Sequence, residues 1–314
     1  FETGALAEVE RLAHLALTTD LAPDINVRWL NLLAFCLALQ GKPTEALAVF
    51  TQLARLQPGE ASHRINLGNA CLEAGHPREA SEAFEQARKL GAEGVAYLLG
   101  HGLSLMACAQ FEPASERLAD AHALEPEAID VRLAYAQCLS ELENFDAVGK
   151  LVGQLPEAGL VRDQQAVLAW LLAQAGFDER ATALYRRLIE TDPGATHLRV
   201  QLALLLERLN RLDDARALLA NEPDNAEARD AMSFLAHGRL GRRGGDVERA
   251  TSLLEQGLEV AAEGAMQAQL QFELAKCHDQ AGDPDACMAT LSAAHTQAAV
   301  AFAQRFPQVS QQDV

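Results

Sequence analysis

The chain has 314 residues, of which 49% are hydrophobic and only 5% aromatic, and its 26 basic and 44 acidic residues give a formal net charge of −18. So acidic a chain repels phosphate backbones, which argues against nucleic acid as a partner. No apolar run approaches the ~18 residues that a membrane span requires, which argues against a membrane protein, and length alone predicts two ordinary domains.

A small residue recurs along the chain at intervals of 33 to 37 residues. The members of this series are Ala46, Ala80, Ala114, Ala147, Ala181, Ala215, Ala250 and Cys287. A period close to 34 residues predicts an array of helix pairs. Because the units of such an array stack into one continuous body, the repeat overrides the expectation of two ordinary domains.

Helical periodicity, broken at short intervals by Gly, Pro, Asp and Asn, divides the chain into three segments. Residues 1–23 are predicted to form a partial repeat in which residues 4–17 are a lone second helix. Residues 24–301 are predicted to form about eight helix pairs. Residues 302–314 are predicted to be the end of a cap helix that starts at residue 296, followed by a flexible tail.

The first complete pair shows the pattern that the others repeat. Leu30, Leu33 and Leu37 recur at helical spacing and so lie on one face of a first helix. Gly41 and Pro43 mark the turn into a second helix, because glycine and proline interrupt helices at such positions. The same order of apolar face, turn and apolar face recurs in each later unit.

Small and large residues alternate at the predicted helix contacts. Small side chains let helix axes approach to about 8–10 Å. The two helices of a pair are predicted to meet at Ala34, Gly68, Gly102, Ala136, Ala169, Ala203, Ala236 and Ala275. The seam between successive units is predicted to be filled by Phe50, Phe84, Leu118, Leu151, Tyr185, Leu219, Leu254 and Leu291.

These positions resemble the tetratricopeptide repeat (TPR) family, whose pattern is W-x2-L-G-x2-Y, A-x3-F and P at a period of 34 residues. The closest matches are Leu67-Gly68, Gly75, Ala80-x3-Phe84, and Ala181-x3-Tyr185 with Pro193. The resemblance covers residues 24–301. It implies an all-α fold, a helix-turn-helix solenoid wound into a right-handed superhelix whose concave face binds a protein or peptide partner.

The cysteines indicate packing and a reducing compartment. None of the six forms a C-x-x-C pair or a Cys/His ligand set. Cys36, Cys138 and Cys277 fall at the same site of three repeats and are predicted to be small buried hydrophobes. With no visible signal peptide, we expect a cytoplasmic protein.

Helical phase predicts which side chains line the concave face. The candidate partner-binding residues are Phe35, Asn66, Asn69, Trp170, Gln201 and Phe234. Large apolar anchors and amides suit an extended peptide or another protein's helix. The alternative is that neighbouring helices cover the three aromatic side chains.

Two of these residues, Asn66 and Asn69, resemble the asparagines with which some TPR proteins clamp the terminal carboxylate of a peptide. The lysines and the arginine of that clamp are missing, because the matching sites of the following unit hold Ala96 and Gly100. We therefore do not expect a receptor for chaperone tails.

One run, GRLGRRGG at residues 238–245, is basic in an otherwise acidic chain. It is predicted to be a loop between the two helices of the seventh unit. Either the loop is merely solvated, or Arg239, Arg242 and Arg243 grip an anion or an acidic partner.

The sequence holds no phosphate-binding loop, nucleophile elbow or zinc-protease motif, so we expect no catalytic residues, no metal and no cofactor. The leading interpretation is a non-enzymatic interaction scaffold, and a homodimer stays open. The alternative comes from residues 270–276 and 282–295, which are similar to the last repeat of bacterial proteins that join TPRs to a sulfotransferase. That resemblance implies a substrate-positioning or dimerising arm of a larger transferase whose catalytic domain is absent here.

Overall fold

The computed structural model describes residues 3–19, 22–220 and 229–305, and these ranges contain helices and turns but no strand. The helices are α1 (Thr3–Leu17), α2 (Pro23–Leu39), α3 (Pro43–Leu56), α4 (Ala61–Glu73), α5 (Pro77–Lys89), α6 (Val95–Ala107), α7 (Phe111–Leu124), α8 (Ile129–Glu141), α9 (Phe145–Val152), α10 (Arg162–Gln174), α11 (Asp178–Thr191), α12 (Thr196–Arg208), α13 (Leu212–Leu219), α14 (Ala231–Arg243), α15 (Val247–Val260), α16 (Ala265–Ala281) and α17 (Pro284–Arg305). The predicted all-α solenoid of helix pairs is confirmed.

From α2 onward the helices alternate between first helices, with even numbers, and second helices, with odd numbers. They group into two compact units, residues 1–143 and residues 144–314. Each unit has its own core: in the first, buried residues of α2 and α3 include Leu33 and Phe50, and in the second, buried residues of α14 to α16 include Leu235 and Leu270.

The turn that follows each first helix holds one residue in the left-handed backbone region, with φ between 57° and 87°. These residues are Gly41, Gly75, Ala109, Glu143, Gly176, Asn210, Gly245 and Gly282. A side chain strains this conformation, so glycine is the favoured residue there. Ala109 and Glu143 adopt it because the helices on both sides fix the path of the chain.

Small residues bring the two helices of a pair together, as the sequence predicts. A Cβ placed on Gly102 of α6 would lie 2.6 Å from Cγ of Leu118 in α7. A Cβ on Gly68 of α4 would lie 2.8 Å from the ring of Phe84 in α5. Both distances are far below a van der Waals contact, so each glycine lets a large side chain of the second helix pack directly on the first.

The predicted series of small residues is buried except at two places. Ala46, Ala80, Ala114, Ala181, Ala215 and Ala250 are all inaccessible to solvent. In α9, however, Val148 and Val152 are inaccessible, while Ala147 and Leu151 are only half-buried, so the predicted register of the fourth unit is wrong by one residue. The short α9 begins at Asn144, whose side chain caps it, and this cap sets which face of the helix turns inward.

The predicted cap helix is not a separate element. α17 runs without a break from Pro284 to Arg305, because no glycine or proline interrupts it, and Gln297 lies in its interior. The side-chain oxygen of Gln297 accepts a hydrogen bond of 2.9 Å from the backbone N–H of Gly264 at the start of α16. The prediction of a flexible tail falls mostly on residues 306–314, which lie outside the described residues.

All six cysteines are free thiols, and Cys36, Cys138 and Cys277 are buried, so the predicted packing role of these three residues is confirmed. The thiol of Cys138 donates a hydrogen bond of 3.2 Å to the carbonyl of Phe111, the first residue of α7. Burial raises the pKa of Cys138 to about 12, which keeps it protonated. These thiols fasten one helix to the preceding one.

One titratable group is sealed inside the first unit. His101 of α6 is 2% exposed and stacks on the ring of Phe84. Its Nδ1 lies 3.2 Å from the hydroxyl of Tyr97, and its Nε2 lies 3.5 Å from a carboxylate oxygen of Glu85. Burial lowers the pKa of His101 below its ordinary value of 6.5 because the apolar surroundings disfavour the imidazolium, although Glu85 opposes this shift.

We expect the free energy of unfolding to fall as the pH drops below 6.5. In that range the unfolded chain binds a proton at residue 101 that the folded chain resists, so acid favours unfolding. Urea denaturation at pH 7 and pH 5 should show a smaller loss of stability for His101→Gln than for the parent chain. The exposed His14 supplies the control, because His14→Gln should leave the pH dependence unchanged. Equal pH dependence in His101→Gln and the parent chain would contradict this assignment.

Candidate interaction surface

The first helices of the first unit present a common face that can be defined by sequence spacing. Within each helix the positions i, i+4, i+7 and i+11 share one side, and between helices each position repeats after 34 residues. This first-helix face consists of Arg28, Leu32, Phe35 and Leu39 of α2; Ser62, Asn66, Asn69 and Glu73 of α4; Ala96, Gly100, Leu103 and Ala107 of α6; and Asp130, Ala134, Gln137 and Glu141 of α8.

Large apolar side chains are accessible on this face. The exposed fractions are 45% for Leu32, 48% for Phe35, 67% for Leu39 and 36% for Leu103. A single exposed leucine needs no explanation, but several large apolar groups on one face mark an interaction surface. The ring of Phe35 also makes an edge contact with Phe50, with centroids 5.4 Å apart, which holds it in place. The exposure that the sequence predicts for Phe35 is therefore present.

Next to these apolar groups lie side-chain amides that are available to a ligand. Asn66, Asn69 and Gln137 are half-buried, and within the described part of the chain their side chains have no hydrogen-bond partner. Asn69 lies so close to α6 that a Cβ on Gly100 would come within 2.8 Å of its Oδ1. An amide offers both a donor and an acceptor, as the backbone of a bound peptide requires.

In the second unit the corresponding positions hold two of the predicted contact residues. Trp170 lies on α10 and Gln201 on α12, and both side chains are half-buried. The residues beside them in the chain, Leu168, Ala169 and Leu171, are inaccessible to solvent. The helix therefore turns its core side away from Trp170, and the indole keeps an accessible surface.

The prediction that Phe234 is exposed is wrong. This side chain is only 3% exposed on α14. A Cβ on Gly257 of α15 would lie 2.9 Å from Cβ of Phe234, which means that the backbone of α15 lies directly against it. Phe234 is a core residue, and the alternative that neighbouring helices cover the aromatic side chains holds at this position.

The predicted basic loop is also wrong, because Arg239, Arg242 and Arg243 lie in the last turns of α14. Arg239 and Arg242 form ion pairs of 3.4 and 3.2 Å with Glu273 of α16, which is 5% exposed. Arg243 donates to the carboxylate and to the carbonyl of Glu207 in α12, at 2.6 Å each. These arginines bridge α14 to two other first helices, and their charges are used within the fold.

Sequence reasoning missed Leu32 and Leu39 as candidate contacts. Their spacing from Phe35 places all three side chains on one side of α2, and this signal is visible in the sequence. Both leucines were hidden among the many leucines of α2, of which Leu30, Leu33 and Leu37 are buried. Only the distribution of burial around the helix separates the two groups.

The surface offers binding groups rather than reactive ones. Among the described residues, no three His, Cys, Asp or Glu side chains are grouped so that they could hold a metal ion. None of the described helices is long and apolar enough to cross a bilayer. The chemistry of the first-helix face is therefore apolar contact and hydrogen bonding.

The architecture defines an α-helical repeat protein, and comparisons identify the repeat. Models of the tetratricopeptide repeat match residues 26–92 and residues 196–221. The fold is similar to that of a tetratricopeptide repeat protein from Parabacteroides merdae, with a TM-score of 0.58 and 16% identity over 79% of this chain and 98% of that chain. This chain is a tetratricopeptide repeat protein.

Two further solved structures show lower similarity. TTC0263, a thermophilic TPR protein from Thermus thermophilus, aligns with a TM-score of 0.47 and 20% identity over 59% of this chain and 99% of that chain. YrrB, described as a TPR protein with an unusual peptide-binding site, aligns with a TM-score of 0.32 and 19% identity over 60% of this chain and 84% of that chain. No curated protein matches the sequence.

Proposed function

We propose that this protein is a non-enzymatic interaction scaffold that binds a segment of a partner protein on the first-helix faces of its repeats. The observation that carries the proposal is the concentration of accessible large apolar side chains on the face of the first unit, together with amides that have no partner within the described chain. Apolar anchors next to free amides suit a peptide, which presents side chains and backbone polar groups together.

Trp170 is the proposed anchor of the second unit. Residues that dominate the energy of protein interfaces are enriched in tryptophan, because its large rigid surface buries much area at small entropic cost. Gln201, on the neighbouring first helix of the repeat order, supplies an amide for the same ligand. Phe234 does not contribute, because α15 covers it.

We expect Trp170→Ala to weaken binding of a partner isolated by affinity capture by roughly 2 kcal/mol, or about 30-fold in Kd. Isothermal titration calorimetry with the purified partner measures the difference. Circular dichroism should show unchanged helix content, since the side chain is half-buried and its removal leaves the inaccessible face of α10 intact.

Met288→Ala is the matched control, because Met288 is 66% exposed on α17, a second helix of the same unit, and its loss also removes exposed apolar surface. It should bind the partner as the parent chain does. If Trp170→Ala binds equally well, or if Met288→Ala weakens binding as much, the anchor in the second unit is misassigned.

A further inference from the structure

The exposed apolar side chains of α2 follow a heptad rather than a scattered pattern. Ile25, Leu32, Phe35 and Leu39 are separated by 7, 3 and 4 residues, and their exposed fractions run from 43% to 67%. Spacing by alternating threes and fours is the pattern by which one helix packs along another. We call these four residues the α2 seam, and its 14-residue span corresponds to about 21 Å along the helix axis.

The seam runs along one helix and does not continue across the repeats. The positions that correspond to Leu32 hold Asn66, Gly100 and Ala134 in the next three first helices, and the last two are buried. A ligand that buries the seam must therefore follow α2 for most of its length. A helix does this with a continuous row of side chains, whereas an extended peptide would cross the repeats and meet only one or two seam residues.

The charges near the seam select the kind of helix. Glu73 and Glu141 share the row of Leu39 at intervals of 34 and 102 residues and stand at the C-terminal ends of α4 and α8, where the helix dipole adds further negative charge. Asp24 is exposed beside Ile25. Arg28 is the one cation among the sixteen positions of this face, and the whole chain carries −18.

We propose that the α2 seam docks an amphipathic helix of a partner protein, with apolar residues at heptad spacing and lysine or arginine along its flanks. The proposal rests on the proposed function and names the class of partner that the first unit takes. The basic flank lies beside Glu73, and an acidic or amide residue of the partner lies opposite Arg28, which fixes the direction of the bound helix. A second copy of this chain is disfavoured as the occupant, because two acidic chains repel each other.

The test is a selection of peptides on the full-length chain. The probe is a phage-displayed library of 21-residue helical peptides with leucine, isoleucine or alanine at the a and d positions and free choice at the flanks. A second library of proline-containing extended peptides is selected in parallel. We expect the helical library to yield binders whose flanks are enriched in lysine and arginine, and the affinity of these binders to fall with added salt.

Site variants then locate the bound peptides. Leu32→Ser and Leu39→Ser should each weaken the selected helices by about tenfold or more, since each removes an apolar contact at the centre or end of the seam. Leu124→Ser is the matched control, because Leu124 is 59% exposed on the second helix α7. Glu73→Gln should weaken only peptides with basic flanks. Because the seam leucines are largely exposed, all variants should keep the parent chain's helix content.

Three results would overturn the inference. Selected helices with acidic flanks would contradict the charge argument, and binders unaffected by Leu32→Ser and Leu39→Ser would contradict the position. A concentration-dependent dimer that Leu39→Ser disperses would assign the seam to a second copy. If extended peptides that depend on Asn66 and Asn69 prevail instead, the inference fails while the proposed function stands. If neither library yields binders that depend on a first-helix face, both fail.

Discussion

Replacing Phe84 by alanine should lower the free energy of unfolding by about 3–5 kcal/mol, the range for buried aromatic side chains truncated in a core. Phe84 of α5 is inaccessible to solvent and packs on the backbone of α4 at Gly68 and of α6 at Gly100. Its ring also lies 6.3 Å from that of Tyr97. No neighbouring side chain can fill the space, because glycines form two of its walls.

The damage should extend beyond the site of the change, because each unit of a repeat array is stabilised by its neighbours. Hydrogen exchange of Phe84→Ala should accelerate in α4 and α6 as well as in α5, and urea denaturation gives the loss of free energy. Phe145→Ala is the control, since Phe145 is 41% exposed, and should cost about 1 kcal/mol or less. Unchanged exchange in α4 and α6 would show that Phe84 does not join the successive units.

Removing the carboxylate of Glu273 should have the second largest effect. Glu273 is 5% exposed and forms ion pairs with Arg239, Arg242 and Lys276, the last at 2.7 Å. Glu273→Ala leaves these cations facing one another without their common partner. Loss of one member of a buried ion pair typically costs ~3–5 kcal/mol, and the partial exposure of the three cations places the expected loss at the lower end of that range.

Thermal and urea denaturation of Glu273→Ala measure this loss. Glu248→Ala, which removes an exposed carboxylate in the first turn of α15, should change the free energy of unfolding by no more than about 0.5 kcal/mol. Added phosphate should not restore the stability of Glu273→Ala to that of the parent chain, because the arginines are spread over two turns of α14. A variant as stable as the parent chain would mean that these ion pairs do not hold α14 to α16.

The glycines explain why part of the sequence was misread. In a sequence, glycine signals either a break in a helix or a close contact between helices. Gly102 was assigned correctly as a contact, since large residues of the same repeat stood at the matching sites. Gly238 and Gly241 looked like breaks because arginines surrounded them, yet Cβ atoms there would lie 2.6 Å from Leu254 and 3.3 Å from Ala250. They are contact residues inside α14 and play the part that Gly102 plays in α6.

Helix pairing could be predicted because it depends on local patterns that recur with the repeat. Exposure could be predicted less well, because it depends on neighbours that are distant in sequence. Phe35 and Phe234 occupy first helices at related phases, but only Phe234 meets a glycine, Gly257, that lets the next helix cover it. The seam leucines Leu32 and Leu39 differ from the core leucines of α2 only in direction. Three-dimensional neighbours, rather than residue type, decide these cases.

Site-specific photo-crosslinking tests the proposed scaffold function most directly. A benzoyl-phenylalanine placed at Asn69 or Gln201 reports on the first-helix faces, and one placed at Glu116 or Arg186 reports on the exposed sides of the second helices α7 and α11. Our account predicts that the same partner protein crosslinks at Asn69 and Gln201 and is absent from the products at Glu116 and Arg186. Crosslinks that form only at the second-helix positions would contradict it.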